Sequence, residues 1–97
     1  MPTYLTLAKW TQKGIQNIKE SPERLDAFKK LVEASGGKVK DFYLVMGKYD
    51  MALILEAPDD AAVAKTALAT GSRGSVETET HRVFTEAEYR KIIGELP

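Results

Sequence analysis

The sequence has 97 residues, in which 14 Lys and Arg balance 14 Asp and Glu, with one His and no Cys. This length predicts a single domain over residues 1–97 with room for one small hydrophobic core. The lack of cysteine excludes disulfides, thiolate metal sites and cysteine nucleophiles, and the balanced charge argues against a dedicated nucleic-acid binder. The apolar runs are too short to span a membrane and the first residues show no signal pattern, so we expect no membrane association and a cytoplasmic location.

The N-terminal third predicts a strand, a short helical turn and a longer helix. Thr3–Trp10 alternates with the period of a strand, and Thr11–Glu20 is expected to form a separate helical turn. In Ser21–Glu23 a capping hydroxyl precedes a proline and an acid, which is typical of a helix start, and Gly36-Gly37 supplies the stop. The apolar face of this helix steps by three and four residues, through Leu25, Phe28, Leu31 and Val32.

The middle of the chain predicts a β-hairpin. Lys38–Met46 and Tyr49–Ala57 are rich in β-forming residues, and the intervening Gly47-Lys48 suits a type II′ turn. A two-residue turn sets the register of the two strands, and this register places Tyr43 and Asp50 on the same face.

An Ala-rich segment, Ala61–Thr70, predicts a second long helix. Asp59 and Asp60 are suited to cap its first turn, and Gly71 is expected to end it. The small side chains of this segment would allow the helix to approach a sheet closely.

The last third of the chain predicts a fourth strand and an extra helix. Val76–Phe84 has strand character, and Thr85 with Glu88 forms a capping box before the final helix. With right-handed crossovers, this order of elements predicts an α+β, ferredoxin-like βαββαβ sandwich with an extra C-terminal helix. The apolar face of that helix would be Tyr89, Ile92, Ile93 and Leu96.

The third predicted strand is apolar on both of its faces. Met51, Leu53 and Leu55 point one way, and Ala52 and Ile54 point the other. Helices cover only one face of such a sheet, so a two-fold partner packed sheet to sheet is the simplest cover for the other. We therefore predict a homodimer or higher oligomer that forms a dimeric α/β barrel. The alternative is a monomer whose open face is partly polar.

The first strand has to present one of its two sides to the helices. We expect Leu5 and Leu7 to face the helices together with Met51 and Leu53. The residues left to face the second subunit are then Tyr4, Thr6, Ala8, Trp10, Tyr43, Val45, Asp50, Ala52 and Ile54.

The fourth strand adds ionisable groups to that second face. Glu77, Glu79 and His81 alternate along it and are too polar for the helix side. Apolar walls with a few convergent polar groups are typical of ligand sites, so we expect a pocket for a small polar or aromatic molecule. Its binding residues would be Trp10, Tyr43, Tyr49 and Glu79. Packing of the aromatic side chains at a dimer interface is the alternative for Trp10, Tyr43 and Tyr49.

His81 and Asp50 are the candidate catalytic residues, as proton carriers. An imidazole is the side chain whose ordinary pKa lies near neutrality, and a neighbouring carboxylate could orient it. The alternative for His81 is a half-exposed sheet residue with no chemical role. Carboxylates and imidazole are also possible metal ligands, but positions two apart on a strand are about 7 Å from each other. We therefore expect no metal and no cofactor.

One set of motifs spans nearly the whole chain, namely Lys9–Thr11 with Gly14-Ile15, Asn17–Lys19, Ser21–Arg24, Gly47–Asp50, Glu56–Asp60, and Thr78–Thr80 with Arg82, Phe84 and Thr85. In these motifs the sequence resembles the GYD domain family. The motif that names the family is met as Gly47-Lys48-Tyr49-Asp50. The resemblance implies a ferredoxin-like dimeric barrel, and it implies no reaction because the family is largely uncharacterised.

The motif of this family also has a structural interpretation. Gly47 would supply the turn geometry, Tyr49 would pack beside the hairpin, and Asp50 would accept backbone hydrogens at the turn. The position of His81 is commonly apolar in the pattern of the family, which argues against a family-wide catalytic role for it.

Two classes of function remain open, and the sequence does not decide whether the protein is an enzyme. The first is a small-molecule pocket in the barrel, used for cofactor-free proton transfer, for oxygenation or for ligand sensing. The second is an interaction protein whose barrel is its dimer interface and whose C-terminal helix docks onto a partner. A barrel cavity of about 300 Å³ or more would favour the first class.

Overall fold

The computed structural model describes residues 1–97 as a four-stranded antiparallel sheet with helices packed on one face. The strand order is β2-β3-β1-β4, which confirms the α+β, ferredoxin-like βαββαβ architecture with an extra C-terminal helix. The elements are β1 (Thr3–Trp10), α1 (Gln12–Gln16), a 3₁₀ turn (Ile18–Glu20), α2 (Ser21–Ala34), β2 (Lys38–Leu44), β3 (Met51–Glu56), α3 (Asp60–Ser72), β4 (Val76–Val83) and α4 (Glu86–Gly94).

The start of α2 differs from the prediction. The separate helical turn before Ser21 is confirmed, but Ser21 is the first residue of α2 and does not cap it. The 3₁₀ turn runs directly into the helix, so Glu20 at the N-cap has helical φ and ψ of −85° and −5° and makes no side-chain capping bond. The Ser21 hydroxyl instead accepts a hydrogen bond from Trp10 Nε1 at 3.3 Å.

The end of α3 also differs from the prediction. The helix continues through Gly71 to Ser72, and it is Gly74 that takes a left-handed φ of +82°. A glycine permits a helix to stop but does not require it, and here the chain turns one residue after the Arg73 C-cap. The predicted stop of α2 is confirmed, since Gly36 has a φ of +91°.

The register of β1 decides which residues share a face of the sheet. Tyr4 lies opposite Leu55, whereas Leu5 lies opposite Ile54. Directly paired residues point to the same side, so the predicted orientation of β1 is wrong. The helix-covered face takes Tyr4, Thr6, Ala8 and Trp10 together with Met51, Leu53 and Leu55, and the open face takes Leu5 and Leu7 together with Ala52 and Ile54.

A bulge in β2 adds to the core on the helix-covered face. The register shifts between Val39 and Asp41, so Val39 lies opposite Leu55 while Phe42 lies opposite Leu53. Because of this extra residue, two side chains three positions apart both point to the helices. The buried cluster consists of Tyr4, Ala8, Met51, Leu53, Leu55, Ala57 and Val63, with Trp10, Leu25, Phe28, Val39, Phe42 and Val76 packed against it.

Helix α4 is formed locally and contributes nothing buried. The predicted capping box is present, since Thr85 Oγ1 accepts from the Glu88 amide at 3.2 Å and Glu88 Oε1 accepts from the Thr85 amide at 2.9 Å. The helix has no buried residue. Its apolar side chains Tyr89, Ile92 and Ile93 are exposed, and so is Leu96, which was predicted on the same face but lies beyond the end of the helix. None of the helices combines the length and the apolar character that crossing a membrane requires.

Candidate functional site

The open face of the sheet, the side that α2 and α3 leave uncovered, carries an apolar centre. Leu5 and Leu7 of β1 pair with Ile54 and Ala52 of β3, and all four are only partly buried. These two strands are central in the sheet. On the edge strand β2, Tyr43 lies opposite Ala52 and is 57 % exposed, which extends the apolar surface.

The hairpin that borders this face has the predicted register, but the predicted type II′ turn is wrong, because Gly47 does not take the positive φ that such a turn requires. Leu44 lies opposite Met51, and the Val45 amide donates to the Asp50 carbonyl at 2.8 Å. Ladder pairing stops at Leu44 and begins again at Met51, so the strands are shorter than predicted. At the tip between them Met46, Gly47 and Lys48 are exposed, and Met46 is completely so.

Asp50 ties this hairpin to the end of β1. Its amide donates to the Ala8 carbonyl at 2.9 Å, and its Oδ2 accepts from the Trp10 amide at 3.0 Å. Both bonds continue the β1–β3 pairing past Met51, at the point where a side chain has to replace a backbone acceptor. The structure therefore supports the structural interpretation of Asp50 in the Gly47–Asp50 motif.

A chain of hydrogen bonds links Tyr49, Glu79 and His81. The Tyr49 hydroxyl donates to Glu79 Oε1 at 3.1 Å, and His81 Nε2 lies 2.6 Å from Glu79 Oε2. Hydrogen bonding to His81 and then to Tyr49 lowers the pKa of Glu79, and the bond to Glu79 raises the pKa of the Tyr49 phenol. The side chains of His81 and Glu79 are each 49 % exposed, so the network lies in water at the edge of the open face.

The other predicted pocket residues do not join this network. Trp10 is on the helix-covered face, where it packs against the core and bonds Ser21, so its predicted place on the open face is wrong. Tyr43 is on the open face, but β2 and β4 are the two opposite edges of the sheet. The structure thus brings together Tyr49, Glu79 and His81, and keeps Trp10, Tyr43 and Asp50 apart from them. No three His, Asp or Glu side chains are placed to hold a metal ion.

A cavity that sequence reasoning missed lies on the other side of the sheet. It is about 80 Å³ in volume and opens between the sheet, α2 and the C-terminal end of α3. Six separate elements and the loop before β4 supply its walls, so no local motif in the sequence could indicate it. Its polar residues are Thr6, Ser21, Arg24, Thr70, Arg73, Ser75 and Thr78.

Comparison with known proteins gives both a family and a set of related folds. The model of the GYD domain family matches residues 4–93. A protein of Thermus thermophilus named "Glutamine synthetase and cystathionine beta-lyase binding protein" is 38 % identical over 89 residues, which cover 91 % of this chain and 94 % of that protein.

Two solved structures share the fold. TTHA0845, also from Thermus thermophilus, has a TM-score of 0.56 at 22 % identity, over 88 % of this chain and 95 % of that one. The leucine response regulatory protein LrpA of Mycobacterium tuberculosis has a TM-score of 0.62 at 14 % identity, over 87 % of this chain. This chain spans about half the length of LrpA, with 51 % of the regulator covered.

Proposed function

Because the chain belongs to the GYD domain family, we propose that it is a protein-binding module that forms a homodimer through the open face of its sheet. The observation that carries this proposal is the uncovered apolar centre formed by Leu5, Leu7, Ala52 and Ile54. The name of the relative from Thermus thermophilus, which describes it as binding two enzymes, supports a role in protein binding.

The arrangement of the open face supports sheet-to-sheet dimerisation. Its apolar residues belong to the two central strands, while ionisable residues such as Glu79 and His81 lie on the edge strand β4. An apolar centre with a polar rim is the usual anatomy of a protein interface. The molecule is only 17 Å across its shortest axis, which is the thickness of one sheet and one layer of helices. A second copy would complete the missing layer.

We further propose that α4 is the surface that the partner protein binds. Ile92 and Ile93 are 43 % and 50 % exposed, and the exposed fractions of Tyr89 on the same helix and of Leu96 just after its end are larger. An amphipathic helix with its apolar face free is suited to a hydrophobic groove on another protein. We expect that partner to be a metabolic enzyme of the kind named for the relative, and we place the complex in the cytoplasm.

Light scattering of the purified chain tests the dimer. We expect a mass of twice the 10.7 kDa of one chain at micromolar concentration. Leu7→Glu, in the centre of the open face, should give a monomer whose circular dichroism spectrum is that of a folded protein. Leu68→Glu introduces the same charge at a position on α3 that is 75 % exposed, and it should stay dimeric. A wild-type mass of 10.7 kDa would refute the dimer.

Calorimetric titration into purified glutamine synthetase and cystathionine β-lyase tests the protein partner. Ile93→Ser should weaken binding at least tenfold, while Lys91→Ser on the same helix should change it less than twofold. Absence of binding to both enzymes by the wild-type chain would contradict this part of the proposal. If Ile93→Ser instead abolishes the dimer, α4 covers the second copy and not a partner.

A second candidate function is a site for a small polar or aromatic molecule, and the hydrogen-bonded set Tyr49, Glu79 and His81 favours it. In this candidate Glu79 orients His81, which accepts a proton from the molecule. A thermal-shift screen tests it. A molecule that stabilises the wild type should lose its effect in His81→Ala and Glu79→Gln and keep it in Lys65→Gln. Shifts that are equal in all variants would exclude the role of these residues.

A further inference from the structure

The cavity on the helix-covered side of the sheet, here called the helix-side cavity, has an apolar interior. Its floor is formed by strand residues that are almost completely buried, among them Ala8, Met51 and Leu53. Helix α2 contributes Leu25 and Phe28 to its wall. A buried apolar space of this kind favours an apolar group over water.

The rim of the helix-side cavity is positively charged. Arg24 from α2 and Arg73 from the end of α3 both line it, and no Asp or Glu does. Arg73 is exposed and forms no ion pair. Arg24 lies 3.8 Å from Glu20 Oε2, a distance at which its charge is only weakly compensated. The site therefore favours a negatively charged group at its mouth.

One buried donor at this rim has no acceptor. Arg24 Nη1 donates to the Asn17 carbonyl at 3.1 Å and Arg24 Nη2 donates to the Gly14 carbonyl at 3.2 Å, whereas Arg24 Nε is buried without any hydrogen-bond partner. Buried donors in proteins are nearly always paired, because an unpaired donor loses its hydrogen bonds to water and gains none in the protein. Because Nε has no exposed surface, a ligand in the cavity meets the charge of Arg24 and not this donor, whereas the exposed Arg73 is free to make the strong charge-assisted bonds that arginine forms with carboxylates.

We infer that the helix-side cavity binds a small aliphatic carboxylate, whose oxygens bond Arg73 and lie near the positive charge of Arg24, and whose tail lies against Leu25 and Phe28. The volume of about 80 Å³ sets the length of that tail. A cavity of this size admits a short aliphatic group. This inference does not depend on the proposed dimer or partner.

Titration of the ¹⁵N-labelled chain, followed by amide chemical shifts, tests the inference with three matched probes. Pentanoate has both the charge and the tail, pentanamide has the tail alone, and acetate has the charge alone. We expect pentanoate to bind at least tenfold more tightly than either of the others. The amides of Ala8 and Thr78, which line the cavity, should shift, and those of Asp41 and Glu79 on the open side of the sheet should not.

Three variants separate the contributions of volume and charge. Ala8→Val fills the cavity from a strand position and should abolish pentanoate binding in a folded protein. Arg73→Gln should weaken pentanoate at least fivefold without changing pentanamide, whereas Lys65→Gln, which removes one charge from the same helix away from the cavity, should leave both unchanged. Arg24→Lys keeps the positive charge at the rim and should change pentanoate binding less than twofold.

Several results would overturn the inference. Equal affinities for pentanoate and pentanamide would show that no carboxylate is recognised. Unchanged pentanoate binding in folded Ala8→Val, or shifts confined to the open face, would show that the ligand does not occupy this cavity. Because Arg24 also holds the Gly14 and Asn17 carbonyls, Ala8→Val and Arg73→Gln decide the outcome if Arg24→Lys does not fold.

Discussion

Both faces of the sheet carry large apolar side chains, but only one face has helices packed against it. On the helix-covered side, Leu55 is 1 % exposed and Tyr4 is 2 % exposed. Their direct neighbours along the same strands, Ile54 and Leu5, are partly exposed on the open face. All four are large side chains. When a strand is apolar on both sides, its sequence therefore does not predict which side packs against the helices.

The buried face is in fact the more polar of the two at its centre. Thr6 is 3 % exposed and its hydroxyl lies 3.3 Å from that of Thr80, while the Tyr4 hydroxyl donates to Asp60 at 2.5 Å. These polar groups are tolerated because each has an internal partner. On the open face the neighbours of Thr6 in β1 are the aliphatic Leu5 and Leu7, whereas the neighbours of Thr80 in β4 are Glu79 and His81. The helix-covered face thus buries its polar groups in internal pairs, while Leu5 and Leu7 stay partly exposed on the open face.

Substitution of Leu55 should have the largest effect and would separate the two faces directly. Leu55→Ala removes buried methyl groups from the core and should lower the free energy of unfolding by about 3 kcal/mol. Ile54→Ala, one residue along the strand, should lower it by less than half as much when both substitutions are made in the monomeric Leu7→Glu chain. Urea unfolding followed by circular dichroism measures both. Equal losses would mean that the open face is as well packed as the helix-covered face.

Alkaline pH should reveal the polar pairing inside the helix-covered face. Burial, reinforced by the hydrogen bond to Asp60, raises the pKa of Tyr4 to about 12. The native state therefore holds this proton more tightly than the unfolded state, and the stabilisation is complete below pH 10 and lost as the pH rises toward 12. We expect the free energy of unfolding to fall by about 2 kcal/mol over this interval.

Tyr4→Phe should remove this dependence, because no phenol remains to titrate in the core. Tyr43→Phe, on the open face, is the matched control and should keep the wild-type slope. Urea unfolding at a series of pH values from 8 upwards measures the slopes. A Tyr4→Phe variant that loses stability as steeply as the wild type would assign the effect to other groups.

The smallest effect is expected at α4, which packs against neither face. Thr85→Ala removes the capping box and should destabilise this helix by about 1 kcal/mol. Amide exchange over Glu86–Gly94 should become about fivefold faster, and exchange in β1 and β3 should not change. Hydrogen exchange read by mass spectrometry measures this. Faster exchange in the strands as well would show that α4 supports the sheet.

Which residues lie on the open face was predictable only in part. The apolar second side of β3 and the ionisable side of β4 follow from strand alternation, and the structure places Ala52, Ile54, Glu79 and His81 as that alternation implies. The predicted pocket that joined Trp10 to these residues was wrong, because it assumed the opposite orientation of β1. Each side of β1 carries apolar residues, Tyr4, Ala8 and Trp10 on one side and Leu5 and Leu7 on the other. Composition alone therefore does not decide which side packs against the helices.

By itself, the sequence determined the kind and order of the elements, the register of the hairpin and the capping of α4. These features depend on contacts between residues near each other in the chain, such as Thr85 with Glu88 and Val45 with Asp50. Only the tertiary structure decided which side of β1 is buried, the role of Ser21 and the helix-side cavity. The physical reason is that these depend on partners distant in sequence, including the bonds from Asp50 to Ala8 and Trp10, which no local pattern specifies.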